Sequence, residues 1–271
     1  MSWRMITRKD IGDLRRNRQL QGNLLLFVLV FGLFGYFHAR SFRPGITDPI
    51  ELVGVLHVFS VVLVPAVALM LSYDAIVRRR NDGQLTLLLT LAHHRRDVVV
   101  GTYLGRFVIV GTVLVAGVVT AVLVVAFNGV TVPFAGLFAF LVTTTALALA
   151  YVAIGVGISA GIRGPTWAAI AAFGAFLLFV LAWRFVPDGL AYVVHGFSSP
   201  ASPPWWHSYV ATLSPSVAYE ELLGTALDAI EGDDANASGG GTGGVYAGVV
   251  LVGWALLAPI VGYLQFDRTD L

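Results

Sequence analysis

Six apolar runs, each long enough to cross a lipid bilayer, constrain this chain more than any other feature. They cover approximately 22–39, 51–73, 98–127, 134–160, 166–186 and 245–265. About 20 apolar residues in helical form span the ~30 Å hydrocarbon core. In lipid every backbone N–H and C=O must find its partner within the protein, which favours helices. The expected fold is all-α: a polytopic membrane protein of six transmembrane helices in a single domain, 1–271. Composition agrees, with 57% hydrophobic and 12% charged residues, against about 45–50% and roughly 25% in soluble domains. That balance excludes a soluble enzyme and a disordered chain. The third and fourth runs exceed the length of the core, so they are expected to tilt or project. A tight reversal, Asn128-Gly129-Val130-Thr131-Val132-Pro133, joins them.

Positive charge gives the orientation. Arg4, Arg8, Lys9, Arg15, Arg16 and Arg18 precede the first run. Arg78, Arg79, Arg80, Arg95 and Arg96 lie between the second and third, Arg163 between the fourth and fifth, and Arg268 after the last. All of these fall on one side, which predicts cytoplasmic termini in a multi-pass protein of the cell membrane. Only Arg40 and Arg43 flank the opposite side, where they are expected to snorkel to headgroups. The first 21 residues carry Trp3, Ile6, Ile11 and Leu14 on one face, which predicts a helix lying in the membrane interface, or a plain positive flank that fixes topology, the two being compatible. Segment 187–244 is read as a long outer loop before the last helix. It has seven acids and no lysine or arginine, with an amphipathic stretch at Val217–Ile230.

Few motifs support chemistry in this chain. The only lysine, Lys9, follows Arg8 and not glycine, so a P-loop cannot form and any ATP must be hydrolysed elsewhere. There is no cysteine, hence no thiolate metal site. His195 and His207 stand far apart and read as isolated histidines, so no cofactor is expected. Gly157-Ile158-Ser159-Ala160-Gly161 matches the nucleophile elbow Gly-x-Ser-x-Gly. The alternative function is therefore an intramembrane serine hydrolase using Ser159. The preferred reading is that Gly157 and Gly161 form a small-residue packing face, which Ser159→Ala would preserve. Thr143 and Thr144, together with His57, are candidates to line a polar pathway, or the threonines bond back to their own helix.

The informative stretch is 74–97. A charged extension (Asp74 to Arg80) leads to a break at Asp82-Gly83 and a short leucine-rich helix with Leu85, Leu88 and Leu89 on one face. Arg95, Arg96 and a capping Asp97 then restart the third run. Such an apolar face at a membrane surface needs something to bury against, either a soluble partner's groove or the lipid into which a surface helix dips. Gly83-Gln84-Leu85, Leu87-Leu88-Leu89 and Gly101-Thr102-Tyr103-Leu104-Gly105 resemble the permease subunits of ABC-2 type ATP-binding-cassette (ABC) transporters. Ser72–Val77 and Leu87–Thr90 are most similar to the branch of that family that accompanies nitrous oxide reductase, and Leu213-Ser214-Pro215 with Tyr219 resembles its motif before the last span. Arg78–Arg80 stand where the family usually places acids, and Gln84 where it places threonine. The resemblance implies an exporter-type permease with an ABC ATPase subunit and a second permease copy as partners, in a lipid bilayer and without nucleic acid. It also implies that 82–96 is the main ATPase-coupling element, including Asp82, Gly83, Leu85, Leu88, Leu89, Arg95 and Arg96. Segment 161–165, with Arg163, is the implied second contact.

Overall fold

The structure is a computed structural model that describes residues 7, 12, 18–81, 95–198, 202–232 and 237–267. No strand occurs among the described residues. The helices are α1 (Arg18–Ser41), α2 (Glu51–Ser72), α3 (Val77–Asn81), α4 (Arg95–Phe127) and α5 (Phe134–Gly161), followed by a composite fifth span. That span joins α6 (Pro165–Phe176), a wide π turn (Leu177–Ala182), a 3-10 turn (Trp183–Phe185) and α7 (Val186–Val194). Then come α8 (His207–Thr212), α9 (Pro215–Glu231) and α10 (Ala237–Asp267). Among the described residues, six helical stretches are long and apolar enough to cross a membrane. Of residues 1–21, the structure describes Thr7, Gly12 and the first turn of α1, so most of the expected interfacial helix lies outside the described residues. Thr7 meets α4, its hydroxyl donating to Gly101 O at 3.0 Å.

Local chemistry explains the breaks. Asp48 accepts from Ile50 N–H at 2.9 Å and opens α2. Gly129 turns the chain after α4 with φ 74°, a conformation that favours glycine. Ser214 caps α9 by accepting from Ser216 N–H, Pro215 follows at the first helical position, and Gly232 ends the helix at φ 72°.

Helix α5 is the axis of the bundle. It has buried residues along its whole length, from Gly136 to Ala160, and touches α2, α4, α6, α9 and α10. Lipid supplies little hydrophobic drive between helices, so close backbone approach and interhelical hydrogen bonds hold such a bundle together. Both are present. A Cβ added at Gly157 would lie 2.5 Å from Ala258 O of α10, and one at Gly262 would lie 2.6 Å from Gly157 Cα. Gly161 meets the Gln265 side chain. The small-residue face anticipated at Gly157 and Gly161 is thus the α5–α10 seam. Helix α1 packs on α4, with Gly117 against Phe27 and Phe31 and Gly35 against Ala121. Outward faces are apolar: Leu25 and Leu29 on α1, Phe173 on α6 and Val249 and Leu256 on α10 are each more than half exposed. Such faces suit lipid, not water.

Two boundaries differ from the sequence expectation. The fifth span continues to Val194 instead of stopping at 186. Segment 187–244 is not simply a loop. Its helices α8 and α9 pack along the fifth span, α5 and α10.

Candidate functional site

Two constellations bear on function, one at each level of the bundle. The first is the end that holds Arg78, Arg79, Arg80 and Arg163, here called the arginine end. A turn at 73–76 separates α2 from α3. Ser159 of α5 fills the gap: its Oγ accepts from Ile76 N–H at 2.9 Å and from Val77 N–H at 3.1 Å. Arg80 of α3 answers by donating to Ala160 O at 3.1 Å and Ile162 O at 3.3 Å, at the end of α5. Its guanidinium also lies 5.1 Å from the Phe266 ring centroid of α10. Arg79 donates to Thr102 Oγ1 of α4 at 3.2 Å, and Arg78 pairs with Asp74 at 2.8 Å. Arg96 and Arg163 are exposed. Asp82, Gly83, Leu85, Leu88 and Leu89 lie outside the described residues, as does the Arg95 side chain.

The second constellation is a polar seam around the α8–α9 hairpin. Asp188 meets His207 at 2.8 Å, Trp183 Nε1 donates to Val210 O at 3.0 Å, and the Ser214 hydroxyl donates to Phe179 O at 2.8 Å. Helix α8 therefore runs along the fifth span from its far end to the wide turn, where the helical ladder is interrupted. The chain reverses at Leu213–Ser214, with Trp254 Nε1 of α10 donating to Leu213 O at 2.9 Å. Helix α9 then returns along α5. The Tyr151 and Ser216 hydroxyls are 2.7 Å apart, those of Thr144 and Tyr219 are 3.0 Å apart, and Arg184 pairs with Glu220. Tyr151 and Tyr219 are fully buried. Tyr151→Phe is expected to destabilise the protein by about 1–3 kcal/mol, because the buried Ser216 hydroxyl loses its partner. Thermal unfolding in detergent measures this, with Thr143→Val as the mild control, since Thr143 bonds only to its own helix at Ala139 O and Phe140 O.

The family model described as ABC-2 family transporter protein covers residues 4–271. The chain belongs to the ABC-2 transporter family. One relative, from Stutzerimonas stutzeri, is named "Probable ABC transporter permease protein NosY" and is 32% identical over 205 residues, 74% of each chain. A relative of the same name from Pseudomonas aeruginosa is 30% identical over 240 residues, 87% of this chain and 84% of its own. The protein is thus an ABC-2 permease subunit of an ABC transporter, similar to NosY, and a multi-pass membrane protein.

Within this permease the candidate residues separate into groups. Thr144 and His57 come together through Tyr219, whose ring centroid lies 5.1 Å from that of His57. Thr143 does not join them, and Thr145 likewise bonds back, to Leu141 O. The hydrolase alternative is not supported. Ser159 is fully buried, its oxygen engages two backbone N–H groups, and no histidine bonds to it among the described residues. His57 packs on Tyr219 instead, and His93 and His94 lie outside the described residues. Ser159 is also more than a packing residue, because alanine would remove an acceptor shared by two amides. No group of three His, Asp or Glu that could hold a metal occurs among the described residues, and His207 pairs with Asp188. Sequence reading missed Arg184, Glu220, Tyr151 and Ser216. The one signal available was a lone arginine at the end of an apolar run facing a segment that has only acids.

Proposed function

We propose that this permease is the membrane-spanning subunit of an exporter, with cytoplasmic termini and ATP hydrolysed by a partner subunit docked at the arginine end. One observation carries the reading. The chain leaves α2 through Arg78–Arg80, passes through 82–94 and re-enters at α4, while Arg80 holds this exit against Ile162, beside Arg163. The main and the second candidate contacts therefore emerge from one end of the bundle. Basic residues at that end favour the cytoplasmic leaflet. Segment 82–96 is then the principal coupling element and 161–165 the smaller one.

By family resemblance the working unit pairs two copies of this chain with two ATPase subunits and alternates between inward- and outward-facing states. The likeness to NosY favours cargo used in maturing the copper site of nitrous oxide reductase. The polar seam at Thr144, Tyr219 and His57 would move with the α8–α9 hairpin during that cycle.

Orientation is the first test. The chain has no cysteine, so single cysteines report directly. With Ser238→Cys, an impermeant maleimide should label intact cells. With Thr86→Cys it should label only after the cells are opened. The reverse pattern would overturn the orientation. Co-purification of an ABC ATPase with tagged permease tests the partner.

A further inference from the structure

We propose that Ser159 and Arg80 are positioning residues that join segment 82–96 mechanically to the fourth and sixth spans, so that a displacement of that segment moves α5 and α10 with it. The inference rests on reading 82–96 as the ATPase contact. Helix ends leave N–H groups at the start and C=O groups at the finish without intrahelical partners. Here two helices from distant parts of the chain complete each other. Ser159 of α5 takes the N–H groups of Ile76 and Val77 with its hydroxyl oxygen, whose two lone pairs suffice for both. Arg80 of α3 takes the carbonyls of Ala160 and Ile162 at the end of α5, where a cation is also favoured by the helix dipole.

The joint is dry at its centre. Ser159, Ile76 and Val77 are fully buried, so water cannot replace a broken bond there. It is anchored to more than one span, because Arg80 also faces Phe266 of α10 and Arg79 donates to Thr102 of α4. Asp74 pairs with Arg78 across one turn and stiffens the exit. Arginine at position 80 suits this role: an acid there would face two carbonyl oxygens and repel them. Residues 82–94 follow directly, so a push on them is passed through Arg80 to the end of α5 and to Phe266 of α10.

The test uses the permease–ATPase complex in lipid nanodiscs, with Glu231→Cys as a reporter at the exposed far end of α9. The reporter's maleimide-labelling rate is compared with and without ATP plus vanadate. In the parent the nucleotide is expected to change the rate. Ser159→Ala and Arg80→Gln should each lose that change while keeping the ATPase subunit bound, and Ser159→Thr, which retains the hydroxyl, should keep it. A role in stability alone would not separate nucleotide response from subunit retention. If Ser159→Ala fails to insert, Arg80→Gln decides by itself. Retention of the full nucleotide response in Arg80→Gln overturns the proposal, as does a parent that shows no response, or Ser159→Thr behaving like Ser159→Ala. Loss of the ATPase subunit from Arg80→Gln also overturns it, since Arg80 would then be part of the contact. If Leu88→Asp keeps its ATPase subunit, the underlying reading of 82–96 fails instead.

Discussion

Replacing Leu88 with aspartate is expected to leave the permease inserted in the membrane and to strip the ATPase subunit from it on purification. Leu85, Leu88 and Leu89 fall at i, i+3 and i+4 and so share one face of a helix. Burying a leucine side chain is worth ~1.5–3 kcal/mol, and binding energy at an interface concentrates in a few such anchors. A carboxylate at position 88 would remove one anchor and add an unpaired charge at a dry contact, a cost of several kcal/mol. The six-helix bundle should survive, because the packing among its described helices runs through α5. The measurement is the ratio of ATPase to permease recovered on a permease tag, followed by ATP hydrolysis of the recovered complex. Leu87, on the neighbouring face, should tolerate the same change better. A full complement of ATPase on the Leu88→Asp protein would show that the leucine face lies against something else, most simply lipid.

Leucine at Gly157 or Gly262 is expected to prevent the bundle from forming. At both positions the obstacle is backbone: Ala258 O stands 2.5 Å from a Cβ at Gly157, and Gly157 Cα stands 2.6 Å from a Cβ at Gly262. A side chain can swing aside, but here the two helices must separate along their whole contact. Overpacking usually costs about 1–3 kcal/mol, and pushing apart a seam this close should exceed that range. The loss is compounded because α9 is held between the same two helices: Ala218 packs with Ala150 of α5 and with Ala247 and Leu251 of α10. Little membrane-inserted, monodisperse protein should be recovered in detergent, and what remains should unfold at a much lower temperature. Gly54→Ala and Gly253→Ala serve as controls. Nothing lies within 4 Å of a Cβ at either position, so both should fold, with a gain of up to ~1 kcal/mol from helix propensity. Normal yield and melting temperature for Gly157→Leu would mean that α5 and α10 do not approach as described.

The amino-acid order alone determined the number of spans, the tight turn at Asn128–Pro133 and the small-residue face at Gly157 and Gly161. These are local consequences of hydropathy, turn chemistry and residue size, and lipid enforces them by leaving no other way to satisfy the backbone. The resemblance at 82–96 likewise came from contiguous residues. What lies between the spans was decided by tertiary structure. The acids and prolines of 187–244 have the same composition whether their polar groups face water or face the bundle. Only the folded chain brings Ser214 to Phe179, Ser216 to Tyr151 and Tyr219 to Thr144, partners from distant positions. The end of the fifth span was hidden for the same reason: Pro187, Asp188 and Gly189 read as the start of a loop, yet Pro187 sits in the first turn of α7 and His207 pairs with Asp188. Ser159 shows the limit most directly. Gly-x-Ser-x-Gly describes a nucleophile and a buried hydrogen-bond acceptor equally well, since the two differ only in what lies within hydrogen-bond reach of one oxygen. Those neighbours, Ile76 and Val77, stand more than eighty positions away in the chain. A hydrogen bond depends on distance in space, and local sequence pattern carries none of that information.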